Sequence, residues 1–277
     1  MNLVHPWIPA ALGLSPLFSP LQTMIGRLNK QRFPILSEIN TLLAIHQPEI
    51  IVQLGHRLKF VKQESERMSF EQQYEPRCFL SGEVQTRINN WHDLFNALVW
   101  LTFPKSKAAI NARHFQALKT REAANETQRG RIRDMVTLFD ESGVIVASAN
   151  TELSNLLQSF QWKELFWQRR EQVKKEMGFY IFGHGLYEKA LQPYIGLTGQ
   201  AMIFQVPIEF FNASLPSQIL KLDQLLAEYL FDSENCLNSG ELNPLPLLGV
   251  PGWSKENVES AYYDNTSYFR NGRRKSK

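Results

Sequence analysis

The chain has 277 residues, a formal net charge of +3, 43% hydrophobic residues and 21% charged residues. These proportions exclude global disorder, because there is ample apolar surface to bury, and are typical of a soluble globular protein. With only two cysteines, a disulfide framework is not expected and a reducing cytoplasm is favoured. The apolar start lacks a basic leader, and no apolar run approaches the roughly 18 residues that a membrane span needs, so neither a signal peptide nor a membrane helix is predicted.

Basic residues are unevenly distributed along the chain. Eight Lys or Arg residues but only two Glu residues lie from Lys105 to Arg133, and five more basic residues lie from Arg270 onward. Such a local excess favours an anionic ligand or partner. A solvated helix face and a frayed terminus are the alternative interpretation.

The first part of the chain, residues 1–72, is predicted to be a helical segment. It opens with proline-interrupted coil, and a helical pattern with a Glu in its first turn starts at Ser37. Residues 50–63 mix the helical and the strand period, so a short strand is expected among them. Residues 69–87 have a loop-like composition.

Two consecutive helices are predicted next, and they carry several polar residues. The first covers residues 90–103, is capped by Asn90 and ends before Pro104. The second covers residues 106–122, and the short connection favours an antiparallel helical hairpin. The inward-facing polar side chains that such a hairpin places at a similar depth are His92, Asn96, Asn111 and His114.

Two β-rich runs flank the tetrapeptide Asp-Glu-Ser-Gly in residues 134–148, and this pattern predicts a β-hairpin. Helical patterns follow over residues 150–160 and 162–177, and a longer one over 214–231. Residues 178–191 predict a short strand, a Gly-His-Gly elbow and a helix.

The last part, residues 233–277, is rich in proline and asparagine and is predicted to wrap the domain as a tail, with its final residues disordered. Together the elements predict one α+β domain over residues 1–277. Helices dominate it around a small sheet that carries the hairpin, and residues 73–232 form its core.

The Gly-His-Gly elbow places His184 at the start of a helix. The flanking glycines permit unusual backbone angles or close approach of another segment. An imidazole at a helix start tends to be neutral, so it can act as a base, an electrophile or a metal ligand. Glu188 follows four residues later on the same helix face, a spacing that can chelate a metal ion. A surface His–Glu pair is the alternative.

Two other groups have chemical potential. The adjacent carboxylates Asp140 and Glu141 can hold a metal or act in acid–base chemistry, although a plain turn explains them as well. Arg129, Arg131 and Arg133 alternate, so in an extended segment they share a face that can bind an anion. A charged edge strand is the alternative for the arginines.

Familiar nucleotide-binding, phosphate-loop, zinc-protease and nucleophile-elbow motifs are missing from the sequence. The chain nevertheless resembles a family of uncharacterised proteobacterial proteins, domain of unknown function 3025. The stretches that carry this resemblance are YEPR, NWHDLFNALVWLTFPKSKAAINARH, LFDESG, FGHGLYEK, QPYIGLTG, LGVPGW and YYDNTSYFR. The resemblance extends from Tyr74 to Arg270 and implies a single bacterial, cytoplasmic domain, but no activity.

The first functional hypothesis is a soluble hydrolase-like enzyme with a cleft of histidines and carboxylates. It would act by acid–base or metal-assisted chemistry on a phosphorylated or other anionic substrate. The candidate catalytic residues are His92, Asp93, His114, His184 and Glu188. The candidate substrate-binding residues are Asn96, Asn111, Arg113, Arg131 and Arg133. The candidate ligands of a divalent metal cofactor are His92, His114, Asp140, His184 and Glu188.

The second hypothesis is a non-catalytic protein that binds RNA or another anionic partner through the basic stretch and the tail. Geometry separates the two hypotheses. An enzyme requires the three inward histidines to lie within about 10 Å of one another and to line a pocket. A binding protein requires the arginines to form a continuous exposed stripe. A third alternative is that the buried polar residues are ordinary core groups with satisfied hydrogen bonds.

Overall fold

A computed structural model of the chain describes residues 7, 9–46, 48–63, 69–124, 130–232, 234–236 and 238–272. The α-helices are α1 (Pro9–Leu12), α2 (Gln22–Ile25), α3 (Leu36–Ala44), α4 (Tyr74–Ser81), α5 (Trp91–Thr102), α6 (Pro104–Ala124), α7 (Arg131–Ser142), α8 (Thr151–Gln158), α9 (Arg170–Glu176), α10 (His184–Ala190) and α11 (Leu215–Phe231). The strands are β1 (Lys59–Lys62), β2 (Glu83–Thr86), β3 (Gly143–Ser148), β4 (Met177–Ile181), β5 (Thr198–Gln205) and β6 (Asn243–Pro246).

Helices dominate the described chain and its strands form only small sheets, which confirms the predicted α+β class. The larger sheet has the order β4-β3-β5-β6, in which β3 is antiparallel to β4 and parallel to β5, and β5 is antiparallel to β6. Every residue of β3 is buried, as expected of a strand that is covered on both faces. None of the described helices has the length and apolarity that crossing a bilayer requires.

The predicted hairpin over residues 134–148 is wrong in its first half, which is helical. Met135, Val136 and Phe139 are buried on one side of α7, and their spacing of one and three residues is that of a helix face. Only residues 143–148 form a strand. The β-rich composition of the run misled the prediction because buried helices also accept Val and Phe.

Residues 69–87 were expected to form a loop, but they contain α4 and β2. Helix α4 buries Cys78 and Phe79, and Gly82 ends it in the left-handed region with a φ of 73°. Strand β2 then pairs in parallel with β1. The strand expected within residues 50–63 is therefore confirmed, and its partner lies in the supposed loop.

The connection between α5 and α6 is shorter than the predicted antiparallel hairpin implies, and the antiparallel arrangement itself stays a prediction. Phe103 is the single residue between the two helices, and Pro104 is the first residue of α6, where proline is well tolerated. A one-residue connection is shorter than the loops of helical hairpins. Helix α5 packs mainly against α10, and α6 packs mainly against α11.

Helix α6 is capped from another helix rather than by its own Ser106. Asp223 on α11 accepts hydrogen bonds from the N–H groups of Lys105 and Ser106 at 3.1 and 2.8 Å, and from the Ser106 hydroxyl at 2.7 Å. Burial raises the pKa of Asp223 above its ordinary value despite these bonds. This contact fixes the position of α6, which carries His114.

The C-terminal segment wraps the domain as predicted. Strand β6 joins the sheet edge, and Tyr263, Tyr268 and Phe269 are buried. The hydroxyl of Tyr268 donates to the carbonyl oxygen of Leu197 at 2.7 Å. The final residues, for which disorder was predicted, lie outside the described residues from 273 onward. The proposed division at residues 72 and 232 stays a prediction.

Candidate metal centre

Helix α5 begins with a network that uses two of its polar residues. Asn90 caps the helix by accepting a hydrogen bond from the Asp93 N–H at 3.0 Å. The buried Asp93 carboxylate accepts two bonds from the Arg87 guanidinium, at 2.7 and 3.0 Å, and one from the Arg87 N–H. Asp93 therefore links the end of β2 to the start of α5, and the neighbouring His92 faces α10.

The elbow between β4 and α10 has the strand–turn–helix order that its sequence predicts. Its glycines are required by close approach to the junction of α7 and β3. A Cβ atom on Gly183 would lie 2.5 Å from the backbone nitrogen of Gly143, and one on Gly185 would lie 2.2 Å from Oε2 of Glu141. The absence of side chains here allows His184 to reach the Glu141 carboxylate.

Three side chains converge where α5, α7 and α10 meet, and we call them the His–Glu triad: His92, Glu141 and His184. The two Nε2 atoms lie 3.1 Å apart, and Oε1 of Glu141 lies 3.5 Å from Nε2 of His184 and 3.7 Å from Nε2 of His92. Ligand atoms on a tetrahedral ion with bonds of about 2.0–2.1 Å are separated by about 3.4 Å. The triad therefore has the spacing of one face of a metal coordination tetrahedron.

No other group of three His, Cys, Asp or Glu side chains converges in this way within the part of the chain that the structure describes. His184 is buried, whereas His92 and Glu141 are partly exposed. The triad thus lies at the inner end of a cleft and stays open to solvent on one side.

The second nitrogen of each imidazole faces a carboxylate. Nδ1 of His92 donates to Oε2 of Glu188 at 3.1 Å, and Nδ1 of His184 lies 3.6 Å from Oδ2 of Asp140. Asp140 also forms a buried ion pair with Lys107, with 2.6 Å between Nζ and Oδ1. Carboxylates in this position orient metal-binding histidines and raise their basicity.

The triad opens into a cavity of about 370 Å³ whose lining residues are all polar. His92, His114 and His184 all line this one cavity, as do Asp93 and Asn96. Ligand pockets are normally lined mainly by apolar side chains. A cavity lined by polar and charged residues favours a hydrophilic ligand.

A second polar group forms another part of the cavity wall, and we call it the amide cluster: Tyr74, Glu75, Asn96 and His114, with Asn111 behind them. The Asn96 amide donates to the Tyr74 hydroxyl and the Asn111 amide to the Glu75 carboxylate, both at 2.6 Å. Nε2 of His114 lies 4.0 Å from Oε1 of Glu75. The cluster therefore links α4 to α5 and α6 through pairwise contacts.

The surrounding side chains lower the pKa of Glu141 in the triad and of Asp140 beside it. Burial acts to raise the pKa of Asp140, but Lys107, His184 and His114 outweigh it and hold that pKa below its ordinary value. Burial likewise acts to raise the pKa of Glu141, and the neighbouring His184 and His92 more than offset it, so the pKa is lowered. Anionic carboxylates are the form that binds a divalent cation.

The predicted arginines do not form one anion-binding face. Arg113 donates to the backbone carbonyl of Asn235, away from the cavity. Arg131 is exposed at the start of α7, and Arg133 lines the cavity. Residues two apart on a helix point in different directions, so the expected shared face is wrong. Arg129 lies outside the described residues.

Glu141 is the triad member that the sequence hypotheses left out of the metal candidates. As a strand residue it would point away from Asp140, but on α7 the two neighbours differ by about 100° around the helix axis. Both can therefore turn toward α10. A helical interpretation of residues 131–142 would have identified Glu141 from sequence.

The chain is similar to a known protein family over most of its length. Residues 58–273 match a family described as a protein of unknown function, DUF3025. No curated protein and no solved structure matches the chain. Because the match covers most of its length, the chain belongs to the DUF3025 family of proteins of unknown function.

Proposed function

We propose that this protein is a metal-dependent hydrolase whose divalent ion is held by the His–Glu triad. The observation that carries the proposal is the convergence of two Nε2 atoms and one carboxylate oxygen at separations of 3.1 to 3.7 Å. Two histidines and one carboxylate, with a position left for water or substrate, are a ligand set of catalytic zinc sites. Closed structural zinc sites use four protein ligands instead.

A divalent ion at the triad polarises a bound water molecule and a substrate oxygen, which is the chemistry that hydrolysis requires. The residues of this chain would bind and orient that ion. His92 and His184 present their Nε2 atoms to one point, while Glu188 and Asp140 face the opposite nitrogens. Glu141, whose pKa is lowered by the two histidines against the effect of its burial, supplies the anionic ligand.

The cavity supports a small hydrophilic substrate, and a phosphorylated or other anionic one in particular. Its lining residues are polar or charged, and the charged side chains are Arg87, Arg133, Glu75, Asp93, Asp140 and Glu141, so the arginines and a bound divalent ion would offset the carboxylates. Guanidinium groups and a divalent ion both stabilise the charge of a phosphoryl group. Arg87 is paired with Asp93 and Arg133 lines the same cavity, so both guanidinium groups are candidates for contact with the substrate.

Metal content and hydrolysis, measured on the same preparations, test the proposal. We expect about one zinc ion per chain by elemental analysis, and zinc-dependent hydrolysis of p-nitrophenyl phosphate or its diester. His184→Ala should lose both, whereas the exposed His56→Ala control should keep both.

Two results would contradict this proposal. The first is purified protein that neither contains nor binds zinc, in which case the two imidazoles form only a hydrogen bond to each other. The second is stoichiometric iron with no hydrolytic activity, because two histidines and one carboxylate also hold Fe(II) in oxygenases.

A further inference from the structure

We propose that Lys107 is a positioning residue of the metal centre, which acts through Asp140 on His184. This inference rests on the proposed metal-dependent function. Lys107 lies on α6 and does not line the cavity, so it cannot contact a ligand directly. Its ammonium instead contacts the carboxylate that backs one of the two histidines.

Lys107 is buried to an extent that is unusual for lysine. Its residue surface is 3% exposed, and Nζ lies 2.6 Å from Oδ1 of Asp140 and 5.6 Å from the centre of the Trp100 ring. Lysine is almost never fully buried without a partner. A buried ion pair is weak evidence for stability, because apolar residues of similar volume often stabilise a fold equally well. The pair therefore needs a reason other than stability.

The geometry of Asp140 supplies that reason. One oxygen binds Lys107, and the other faces Nδ1 of His184 at 3.6 Å. That Nδ1 is buried and has no hydrogen-bond partner among the described residues. Glu141, whose Oε1 lies 3.5 Å from Nε2 of His184, favours a proton on Nε2 in the metal-free site. Because an ionised carboxylate only accepts hydrogen bonds, Asp140 favours the other tautomer, in which Nδ1 of His184 carries the proton.

This tautomer leaves Nε2 of His184 unprotonated, and Nε2 is the atom that faces His92 and Glu141. A separation of 3.6 Å is long for a hydrogen bond, and such contacts often tighten only when the site binds its ligand. Lys107 holds Asp140 from the far side and so keeps the carboxylate aimed at the imidazole. Loss of Lys107 should therefore weaken metal binding without removing any ligand.

Zinc affinity of the full chain, measured by competition with a chromophoric chelator, tests this proposal. Lys107→Met should weaken binding by about 10-fold, the lower end of the loss that outer partners of metal ligands cause, because Lys107 acts through such a partner. Lys107→Arg should recover most of the affinity, because it keeps the charge. Lys105→Met is the matched control two residues away, since Lys105 is exposed and bonds to Gln224, and it should bind zinc like the wild type.

A double-mutant cycle shows whether Lys107 acts through Asp140. If it does, Lys107→Met should change zinc affinity by less than about threefold in an Asp140→Asn background, because coupled residues are not additive. Full additivity of the two losses would overturn the proposal. The double variant also contains no unpaired charge at this position, so it keeps the test open if Lys107→Met alone fails to fold.

A measurement without metal separates this proposal from the proposed function. Nitrogen-15 NMR of the His184 side chain, assigned with His184→Ala, should show a larger share of the proton on Nδ1 in the wild type than in Lys107→Met. Zinc binding by the wild type with an unchanged affinity in Lys107→Met would overturn the role of Lys107 and leave the metal centre intact. If the wild type binds no zinc but its His184 tautomer still differs from that of Lys107→Met, the proposed function is contradicted and the positioning role of Lys107 is supported.

Discussion

The His–Glu triad and the amide cluster contain the same kinds of residue in different arrangements. In the His–Glu triad, three donor atoms on three helices point to one place, with separations of 3.1 to 3.7 Å. In the amide cluster, His114 faces a single carboxylate at 4.0 Å, and the amides bond to their own neighbours. A histidine in a cleft is therefore a candidate metal ligand when other donor atoms point to the same place, and its burial or exposure alone does not make it one.

The triad and the amide cluster also differ in the groups that face the nitrogens of their imidazoles. Both imidazoles of the triad have a carboxylate facing the nitrogen that points away from the others. In the amide cluster, His114 faces one carboxylate through Nε2, at 4.0 Å from Oε1 of Glu75, and no carboxylate contact is found at its Nδ1 among the described residues. Orientation by outer carboxylates is typical of metal-binding histidines, so the triad is built as a site, while the amide cluster joins three helices.

The largest expected effect comes from removing one histidine of the triad and, for comparison, that of the amide cluster. His184→Ala deletes one of three ligands and should lower zinc affinity by more than about 100-fold, beyond the loss typical of outer partners. His114→Ala should leave zinc affinity within about threefold of the wild type and lower only stability. Calorimetric titration of both variants checks this comparison, and equal losses in the two would abolish the distinction between the triad and the amide cluster.

A smaller effect should follow from adding one methyl group to the elbow. In Gly185→Ala the new Cβ would overlap Oε2 of Glu141, because the two atoms would be only 2.2 Å apart. The carboxylate must move, so we expect zinc affinity to fall by about 10-fold or more, comparable with other changes around metal ligands. Gly130→Ala is the control, since a Cβ there would contact nothing within 4 Å. Unchanged zinc binding in Gly185→Ala would show that Glu141 is not a ligand.

A further comparison concerns the carboxylates that face the histidines, Glu188 beside His92 and Glu75 beside His114. Glu188→Gln keeps a hydrogen-bond acceptor beside Nδ1 of His92 but removes its charge, so zinc affinity should fall by about 10-fold, the lower end for outer partners. Glu75→Gln makes the corresponding change beside His114 and should have no effect on zinc affinity. Chelator competition measures the zinc affinity of both variants. A greater loss of affinity in Glu75→Gln would mean that zinc binds at the amide cluster and not at the triad.

The smallest effect is expected for the reactivity of the two cysteine thiols, Cys78 and Cys236, which belong to no candidate metal site among the described residues. Burial raises the pKa of Cys78 well above its ordinary value and that of Cys236 to about 12. Neither thiol should therefore ionise at pH 8, where the thiolate is the reactive form. We expect no reaction of folded protein with Ellman's reagent and two thiols per chain after unfolding. Rapid reaction of the folded protein would mean that the core around α4 is open.

Much of the fold follows from local sequence patterns. The capped helix at Asn90, the strand and elbow before His184, and the long helix α11 all appear where their patterns place them. The errors arise where tertiary packing decides. Residues 134–142 have β-rich composition but form a helix whose apolar side is buried, and residues 69–87 form a helix and a strand whose partner is distant in sequence.

The candidate site was only partly predictable for the same reason. Helical spacing correctly turned His92 and His114 toward the interior, and both line one cavity with His184. The partner of His92, however, is set by the packing of α5 against α10, which no local pattern reveals. Lys107 gave no sequence signal either, because a lysine within a basic stretch is expected to be exposed rather than paired with a buried Asp140.

X-ray absorption spectroscopy of the zinc-loaded protein tests most directly whether His92, Glu141 and His184 are the zinc ligands. Two imidazole nitrogens and one carboxylate oxygen should bind zinc at about 2.0–2.2 Å, with one further light atom from water. The same spectrum from His114→Ala should be unchanged. A spectrum with sulfur ligands, or one that loses an imidazole in His114→Ala, would contradict the assignment of the metal to His92, Glu141 and His184.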